Sequence, residues 1–256
     1  MIKDLIYNGK NLQSFGYVIK RNPGYEVAER DMDFVEIKGD GSALIDNGGY
    51  KNVDRTYEVN SFPYWNGHKS TRQLVQEFKD WLYSEYGDYK ILRDSYNPGY
   101  FCYAIPKQSN LIEYKAAKML DTSIAFSRKP FWYSDKGTEE IVFEYGTPVA
   151  SAAITLENPE NISSLPYIKV EFSTSGGDLT ISKSGAKWSP FTVENITNKI
   201  EIDSTTENCH NGSTDMNLNT TADYFPWLTP GENVLNFAAT DFLISKITVI
   251  PNWRRL

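Results

Sequence analysis

Phe126-Ser127-Arg128-Lys129-Pro130-Phe131-Trp132-Tyr133 lies midway along the chain, directly after an alternating run at 119–126 that is typical of a half-buried strand. Proline interrupts the hydrogen-bonded ladder there, and three aromatic side chains follow two cations. No base, nucleophile or metal ligand is clustered with them, so the aromatic surface favours a packed seam over a catalytic pocket. We therefore predict a domain junction, with Phe131, Trp132 and Tyr133 as its interface residues.

The composition is acidic and rich in aromatic residues, and the length suits one large or two ordinary domains. The 256 residues include 26 Lys and Arg against 33 Asp and Glu, which gives a net charge of −7. An acidic surface argues against a protein that grips duplex DNA, because that affinity comes from neutralising phosphates. Aromatic residues make up 14%, including 17 Tyr and 6 Trp, and these two types favour interfaces where one end of the side chain stays wet.

The two cysteines, Cys102 and Cys209, are distant in sequence and have no closely spaced His or Cys beside them. Neither a zinc site nor a redox motif is predicted, and no cofactor is expected. Free thiols in a reducing cytosol are the expectation, with a disulfide as the alternative. The first nine residues lack the apolar core of a signal peptide, and no stretch approaches the roughly 20 apolar residues of a membrane helix. We expect a soluble protein without membrane contact.

One segment, residues 71–86, has the pattern of an α-helix. Ser70 and Gln73 have the spacing of a capping box, which satisfies two free backbone donors. Gly87 is expected to end the helix in the left-handed conformation. The apolar residues at helical spacing form one stripe, which we interpret as packing. They are Leu74, Phe78, Trp81, Leu82 and Tyr86.

Most other segments have the pattern of short strands separated by turn residues. The predicted strands of the first half are 17–20, 34–37, 55–60, 89–93, 100–105, 111–114 and 119–126. Those of the second half are 140–145, 152–156, 168–172, 179–182, 191–193, 199–202, 233–238 and 243–250. Short strands without any helical pattern predict a β-sandwich for the second half. The chain is thus predicted to be mainly β, with domains at 1–137 and 138–256.

Residues 38–49 are rich in glycine and too long for a tight hairpin. They lack the helix N-terminus and the Lys-Ser/Thr pair of a phosphate-binding loop. An extended arm or a mobile loop is therefore predicted for 38–52. Further on, Thr229-Pro230-Gly231-Glu232 predicts a β-turn, with Phe225 and Trp227 packed beneath it.

Several short motifs follow one another in a fixed order and together carry a resemblance. Arg128-Lys129-Pro130-Phe131-Trp132-Tyr133 ends the first body, and Leu156-Glu157-Asn158-Pro159 opens the second. The others are the segments 165–170, 200–204, 225–233 and 251–256. In this order and spacing the chain resembles the distal tail proteins of long, flexible, non-contractile bacteriophage tails, over nearly its whole length.

The resemblance implies a ring-forming N-terminal β-domain with one helix, followed by a galectin-like β-sandwich. It implies a structural protein, not an enzyme, that forms a hexameric ring at the distal end of the tail. A pair of rings stacked back to back is the alternative arrangement. This hub would join the major tail tube protein to the tail-associated tip protein, and to receptor-binding or baseplate proteins, while DNA passes through its channel. It would be made in the host cytoplasm and located in the virion. The chain is too short to hold an inserted carbohydrate-binding module besides both domains.

A ring of this kind requires each subunit to reach its neighbour with two different surfaces. The segment 38–52 is predicted to lie along the next subunit and complete a sheet edge by strand addition. Its candidate contact residues are Leu44, Ile45 and Tyr50.

At the end of the chain, Trp253 and Arg254 are predicted to stack on the domain junction. A frayed terminus is the alternative.

The main alternative is a carbohydrate-binding module that contacts the host cell wall. Trp188 or Trp227 would supply the planar aromatic residue of such a site. His210-Asn211-Gly212 superficially resembles the start of a galectin site, but Asn211-Gly212 predicts a turn and no Arg follows at the expected spacing. Fold likeness alone cannot confer a site.

Two other classes were weighed. A cell-wall hydrolase would need two carboxylates across a cleft, whereas the acidic pairs Glu139-Glu140 and Asp31/Asp33 are sequence neighbours, either on alternating strand faces or merely solvated. His68 and His210 have no nucleophile signature beside them, so no catalytic residue is assigned. A tube protein would rarely need a second sandwich, and a receptor-binding head would show stalk repeats, which are not visible.

Overall fold

The computed structural model describes residues 4–39, 41–61, 70–84, 87–108, 112–115, 119–173, 176–185 and 189–256. The chain divides into two compact units, Met1–Trp132 and Tyr133–Arg255. It is mainly β, and the described residues contain one α-helix, so the predicted fold class is confirmed. The predicted domain boundary between residues 137 and 138 stays a prediction.

The first unit is built on an antiparallel sheet. Its strands follow the order β2-β1-β7-β8-β10-β6-β3, with β9 paired to the far end of β10, while β4 and β5 form a separate two-stranded sheet. The strands are β1 (Leu5–Tyr7), β2 (Lys10–Asn11), β3 (Tyr17–Ile19), β4 (Arg30–Glu36), β5 (Ser42–Tyr50), β6 (Val53–Ser61), β7 (Lys90–Asp94), β8 (Tyr100–Gln108), β9 (Glu113–Lys115) and β10 (Met119–Arg128).

The helix α1 (Thr71–Tyr83) packs its apolar stripe into the core of the first unit. Ser70 and Gln73 form the predicted capping box, and Trp81 donates its indole N–H to the carbonyl oxygen of Tyr7 at 2.9 Å. The predicted end at residue 86 is wrong, because Ser84 already caps the helix in right-handed conformation. A helix of this kind is held by its packed face, and in the described residues that face ends at Leu82. Residues 85 and 86 lie outside the described residues, and Gly87 has the expected positive φ of 94°.

The second unit is a sandwich of a six-stranded sheet, β12-β21-β14-β17-β18-β19, and a four-stranded sheet, β13-β20-β15-β16. Its strands are β11 (Trp132–Ser134, which starts on the last residue of the first unit), β12 (Ile141–Val149), β13 (Ser151–Asn158), β14 (Tyr167–Phe172), β15 (Gly177–Lys183), β16 (Phe191–Ile196), β17 (Lys199–Asp203), β18 (Asn208–Asn211), β19 (Thr214–Asp215), β20 (Gly231–Thr240), β21 (Ile244–Ile250) and β22 (Arg254–Arg255). Inward side chains of both sheets share one core. All eight strands predicted for this half are present, and the galectin likeness stays a prediction.

The shortest strands escaped the sequence prediction. β1, β2, β11, β18, β19 and β22 contain two to four residues each. Too few residues alternate in such strands to show a period of two. The predicted turn after Thr229 is present, with Gly231 at a φ of 81°, and Phe225 and Trp227 pack half-buried against the core.

The predicted free thiols are confirmed, since Cys102 and Cys209 are both unpaired and buried. Burial raises the pKa of each thiol to about 12. Neither side chain is therefore a reactive thiolate near neutral pH. Among the described residues, no helix has the length and hydropathy needed to span a membrane.

Candidate functional site

The hairpin of β4 and β5 carries an exposed apolar surface of the first unit. Strand partners run from Glu36 opposite Ser42 to Arg30 opposite Tyr50, with one bulge after Asp31. The hairpin closes at its tip through the backbone N–H of Ile37, which donates to the carbonyl oxygen of Gly41 at 2.8 Å. The prediction that residues 38–49 are too long for a tight hairpin is therefore wrong. Residues 42–50 are a strand paired with residues 30–36, and only a short glycine-containing turn joins them.

Both faces of this hairpin carry exposed apolar side chains. Cross-strand partners share a face, so Phe34 and Leu44 form one pair, 67% and 57% exposed. Val35 and Ile45 lie on the opposite face and are 51% and 47% exposed. Single exposed apolar residues are ordinary on protein surfaces, whereas a contiguous patch on two faces marks an interaction site.

The hairpin also has two open edges. Within the described residues β4 and β5 pair only with each other, so both outer rows of backbone donors and acceptors are available. An isolated two-stranded ribbon is at best marginally stable in water, and open strand edges invite pairing with another chain. The hairpin therefore has the properties of a segment that is completed by a partner.

The root of the hairpin is fixed to the first unit. Tyr50, half-buried, lies edge-on to Phe131 with ring centroids 5.7 Å apart, and the guanidinium of Arg30 lies 6.0 Å from the Tyr50 ring. The N–H of Lys51 donates to the carbonyl oxygen of Glu29 at 2.8 Å. The structure thus brings together one residue of the predicted arm and one of the predicted junction. Leu44 and Ile45, in contrast, lie near the tip.

A buried polar cluster occupies the core of the first unit. Arg55 and Tyr57 both donate to Oδ2 of Asp94, at 3.0 and 2.6 Å, and Arg55 also pairs with Glu26. Burial, reinforced by the Asp94 carboxylate, raises the pKa of Tyr57 well above its usual value. This cluster holds the otherwise irregular segment before the hairpin, because Glu26 belongs to that segment.

The predicted junction residues occupy different surroundings. Trp132 is buried in the first core, and the guanidinium groups of Arg55 and Arg128 lie over its ring at 5.7 and 5.2 Å. Burial lowers the pKa of Arg128, whose Nη1 donates to the carbonyl oxygens of residues 129 and 130. Phe131 is half-buried beside Tyr50.

The remaining junction candidates belong to the second unit. Trp253 is buried in its core and lies against Gly137, where an added Cβ would meet the Trp253 nitrogen at 2.4 Å. Arg254 donates to the carbonyl oxygen of Ser163 at 2.8 Å. Burial lowers the pKa of its guanidinium, and the interaction with Tyr133 offsets only part of this shift. Trp253 and Arg254 are therefore packed within the second unit, which disfavours a frayed terminus. A role of these residues in a domain junction stays a prediction.

The candidate residues for sugar binding or catalysis that the structure describes make contacts within the chain. Trp188 and His68 lie outside the described residues, and Trp227 packs against the sandwich core beside Tyr224. His210 lies 3.3 Å from the Glu201 carboxylate. The described part of the chain contains no group of three or more His, Cys, Asp or Glu residues that could hold a metal ion.

The acidic pairs are also accounted for. Glu139 and Glu140 are exposed to solvent, and Asp33 on the hairpin accepts a hydrogen bond from the Asn47 amide at 3.1 Å.

Glu201 on the six-stranded sheet offers a test of pH dependence. It accepts hydrogen bonds from Lys199 and Tyr167, both at 2.6 Å, and these lower the pKa of its carboxyl group. A carboxyl group whose pKa is lower in the folded state stabilises the protein at pH values above the ordinary glutamate pKa of about 4.3. This stabilisation is lost as the pH falls from that value through the folded-state pKa. Glu201→Gln should therefore shrink the loss of the urea midpoint between pH 6 and pH 3. An unchanged loss in the variant would contradict this role, and exposed Glu139→Gln is the control.

Sequence reasoning missed part of the hairpin. The sequence pattern predicts a separate strand for Phe34 and Val35 and an arm that begins only at residue 38. The signal was present in two apolar runs separated by the short turn sequence Lys38-Gly39-Asp40-Gly41-Ser42, which is typical of a hairpin. Their exposure could not be predicted from the sequence, because short apolar runs in strands usually mark burial.

Comparisons with known proteins support the fold. No protein-family model matches the chain, and no curated protein sequence matches it significantly. Among solved structures, the chain is similar to the Dit protein (gp 19.1) of SPP1, described as a paradigm of the hub adsorption apparatus in phages that infect Gram-positive bacteria. The TM-score is 0.72 at 16% identity, and the alignment covers 100% of both chains.

A second match is to an exo-β-1,3-galactanase of Phanerochaete chrysosporium in complex with galactose. It has 9% identity and covers 93% of this chain and 70% of that chain, but its TM-score of 0.25 is too low to indicate a shared fold. The chain therefore has the fold of a distal tail (Dit) protein, as the resemblance in its sequence predicts.

Proposed function

We propose that this chain is a structural, non-enzymatic component of a bacteriophage tail and acts as the hub of its adsorption apparatus. The observation that carries the proposal is a fold shared over the full length of both chains with a protein of that apparatus. The exposed hairpin adds independent support, because a hub must bind copies of itself and other tail proteins.

The hub would be a closed ring of six copies, in which each hairpin contacts the next subunit. Burying the remaining exposed surface of Phe34, Leu44, Val35 and Ile45 would contribute about 1 kcal/mol each. Two open edges allow the hairpin to add strands to a neighbouring sheet at the same time. A second ring stacked back to back on the first is compatible with this arrangement.

Within the virion, the ring would lie at the distal end of the tail. Its partners would be the tail tube protein on one side and the tip protein on the other, with receptor-binding or baseplate proteins attached. DNA would only pass through the channel. The protein would be synthesised in the host cytoplasm before assembly.

The oligomeric state tests this proposal. Phe34→Ser combined with Leu44→Ser should convert six-fold rings into monomers, because it removes one apolar face without touching the core. Light scattering coupled to gel filtration, together with negative-stain images, would measure the change. Removal of residues 39–48 should have the same effect.

A matched control replaces two exposed apolar residues of the second unit. Leu218→Ser with Val142→Ser removes apolar side chains that are 101% and 43% exposed, and rings should persist. A wild-type protein that stays monomeric at high concentration would refute the hub. Rings that survive loss of the hairpin face would refute its role in assembly.

A further inference from the structure

The irregular segment between β3 and β4, residues 22–28, has unpaired backbone groups. We call this segment the strap. It belongs to no helix, turn or strand, and within the described chain the N–H and carbonyl groups of residues 25–28 make no hydrogen bond. Backbone groups of a folded protein are paired or face water or a partner. The strap is therefore open to pairing with another chain.

Exposure along the strap alternates with the period of a strand, but with the usual polarity reversed. Tyr25 and Val27 are 88% and 87% exposed, whereas the side chain of Glu26 between them is turned inward and is 20% exposed. A shift by one residue would bury the two large apolar side chains and expose the carboxylate. The observed arrangement instead presents apolar surface to solvent, where a partner can cover it.

Glu26 is turned inward towards two buried guanidinium groups. It pairs with Arg55, whose Nη1 also donates to the carbonyl oxygen of Gly24 at 3.3 Å. Arg128 is 1% exposed and forms no ion pair within the described chain, where its Nε atom also has no hydrogen-bond partner. Burial lowers the pKa of Arg128, and the Glu26 carboxylate opposes that shift. A buried cation without a counter-charge is costly, so Glu26 anchors the middle of the strap to the core.

The two ends of the strap are fixed as well. Before it, the N–H of Lys20 donates to the carbonyl oxygen of Glu58 at 2.9 Å. After it, the carbonyl oxygen of Glu29 accepts the N–H of Lys51 at 2.8 Å. A segment that is ordered before it binds avoids part of the entropy cost of association. The strap is thus held in place while its outer side stays uncovered.

We infer that the strap is a docking segment for a second copy of this chain and that Glu26 positions it, an inference that rests on the proposed ring. The occupant is a second copy because the strap continues directly into β4, and the proposed ring places β4 against the next subunit. A contact that covers the hairpin from its root would therefore extend onto the strap.

The area needed for a stable contact agrees with this extension. A specific interface takes about 800 Å² from each partner. The four apolar side chains of the hairpin are 47% to 67% exposed, so part of their surface is already covered. Tyr25 and Val27 are almost fully available, and one aromatic side chain alone buries about 150 to 250 Å².

Loss of the outward side chains tests the contact directly. Tyr25→Ser with Val27→Ser should raise the concentration at which rings form by about a hundredfold, the loss expected for two apolar side chains that assembly buries. The variant should melt at the wild-type temperature, because both side chains are exposed in the monomer. Tyr224→Ser with Val142→Ser is the matched control in the second unit, where these residues are 66% and 43% exposed, and rings should form as in wild type.

Glu26→Gln tests the anchor separately, because it removes the charge and keeps Tyr25 and Val27. At concentrations below those of ring formation, trypsin should cleave after Arg21 about tenfold faster, since cleavage follows the population of the detached strap. Ring formation, measured by light scattering, should weaken by about tenfold, because the strap must then be ordered on binding.

Two controls separate the anchor from a general loss of stability. Glu29→Gln makes the same chemical change on a side chain that is 75% exposed, and it should alter neither measurement. Val59→Ala removes buried core from β6 and lowers the stability of the first unit without touching the strap. If Glu26→Gln weakened ring formation no more than Val59→Ala, the positioning role of Glu26 would be wrong.

Failure of the strap and failure of the hub give different results. If wild type forms rings and the folded Tyr25→Ser, Val27→Ser variant forms them equally well, the strap is not a contact between copies and the hub proposal stands. A wild type that stays monomeric at high concentration would overturn both.

Discussion

Asp94→Ala is expected to destabilise the first unit by about 3 to 5 kcal/mol, since removing one partner of a buried ion pair leaves the other charge uncompensated. The side chains of Arg55 and Asp94 are 3% and 0% exposed, and Tyr57 donates to the same carboxylate oxygen. The other oxygen of Asp94 accepts the backbone N–H groups of Tyr96 and Asn97, so the turn after β7 loses its cap as well. A domain is stable by only about 5 to 15 kcal/mol, so the loss approaches its whole stability.

Urea unfolding combined with hydrogen exchange of the first unit would measure this effect. Asp54→Ala is the matched control, because Asp54 pairs with Lys107 at the surface and both are more than half exposed. An exposed pair contributes about 0 to 1 kcal/mol. Asp94→Asn should fall between the two, since it keeps an acceptor for the turn. Equal losses for Asp94→Ala and Asp54→Ala would contradict the buried cluster.

Much of the fold could be predicted from sequence because period-two patterning dictates strands that bury one face. β6 is an example, because Val53, Tyr57 and Val59 are buried on one face while Asp54, Thr56 and Glu58 on the other face are more exposed. The eight longer strands of the second unit are predicted for the same reason. Its sheets alternate inward apolar residues with outward polar ones, and turn residues separate them.

The hairpin shows where this reasoning fails. Its short apolar runs look like those of a core strand, but no second layer covers them in the described residues of the first unit. An apolar sequence pattern indicates that a strand tends to be buried. It does not indicate whether the same chain or another chain covers the strand. A surface completed by another chain is therefore indistinguishable from a core strand until the fold is known.

The contact of Lys129 with two tyrosine rings could not be predicted for a different reason. Tyr89, Tyr103 and Lys129 come from three separate segments and meet only through the pairing of β8 with β7 and β10. The stretch at 126–133 did reveal cations beside aromatic residues. It did not reveal that Arg128 points into the core while Lys129 points out, because that depends on the register of β10.

Asn233→Ala is expected to destabilise the second unit by about 3 kcal/mol, because it leaves several buried backbone groups without partners. Asn233 is fully buried, and its Oδ1 accepts the N–H of Thr229 at 2.8 Å. Its Nδ2 donates to the carbonyl oxygens of Thr229 and Gly231, at 2.8 and 2.7 Å. One side chain thus holds both sides of the turn that leads into β20, where Gly231 adopts a positive φ.

The neighbouring strand position supplies the control for this change. Asn236→Ala removes the same amide from the same strand, but the Asn236 side chain donates to the hydroxyl of Ser184 near the surface, at 3.1 Å. Surface substitutions of that kind stay within about 0.5 kcal/mol. The difference between the urea midpoints of the two variants therefore measures the contribution of the buried hydrogen bonds, because both variants lose one amide side chain. If both variants unfolded at the same urea concentration, the turn would be held by Pro230 and Gly231 alone, and the sequence signal for the turn would account for its stability without Asn233.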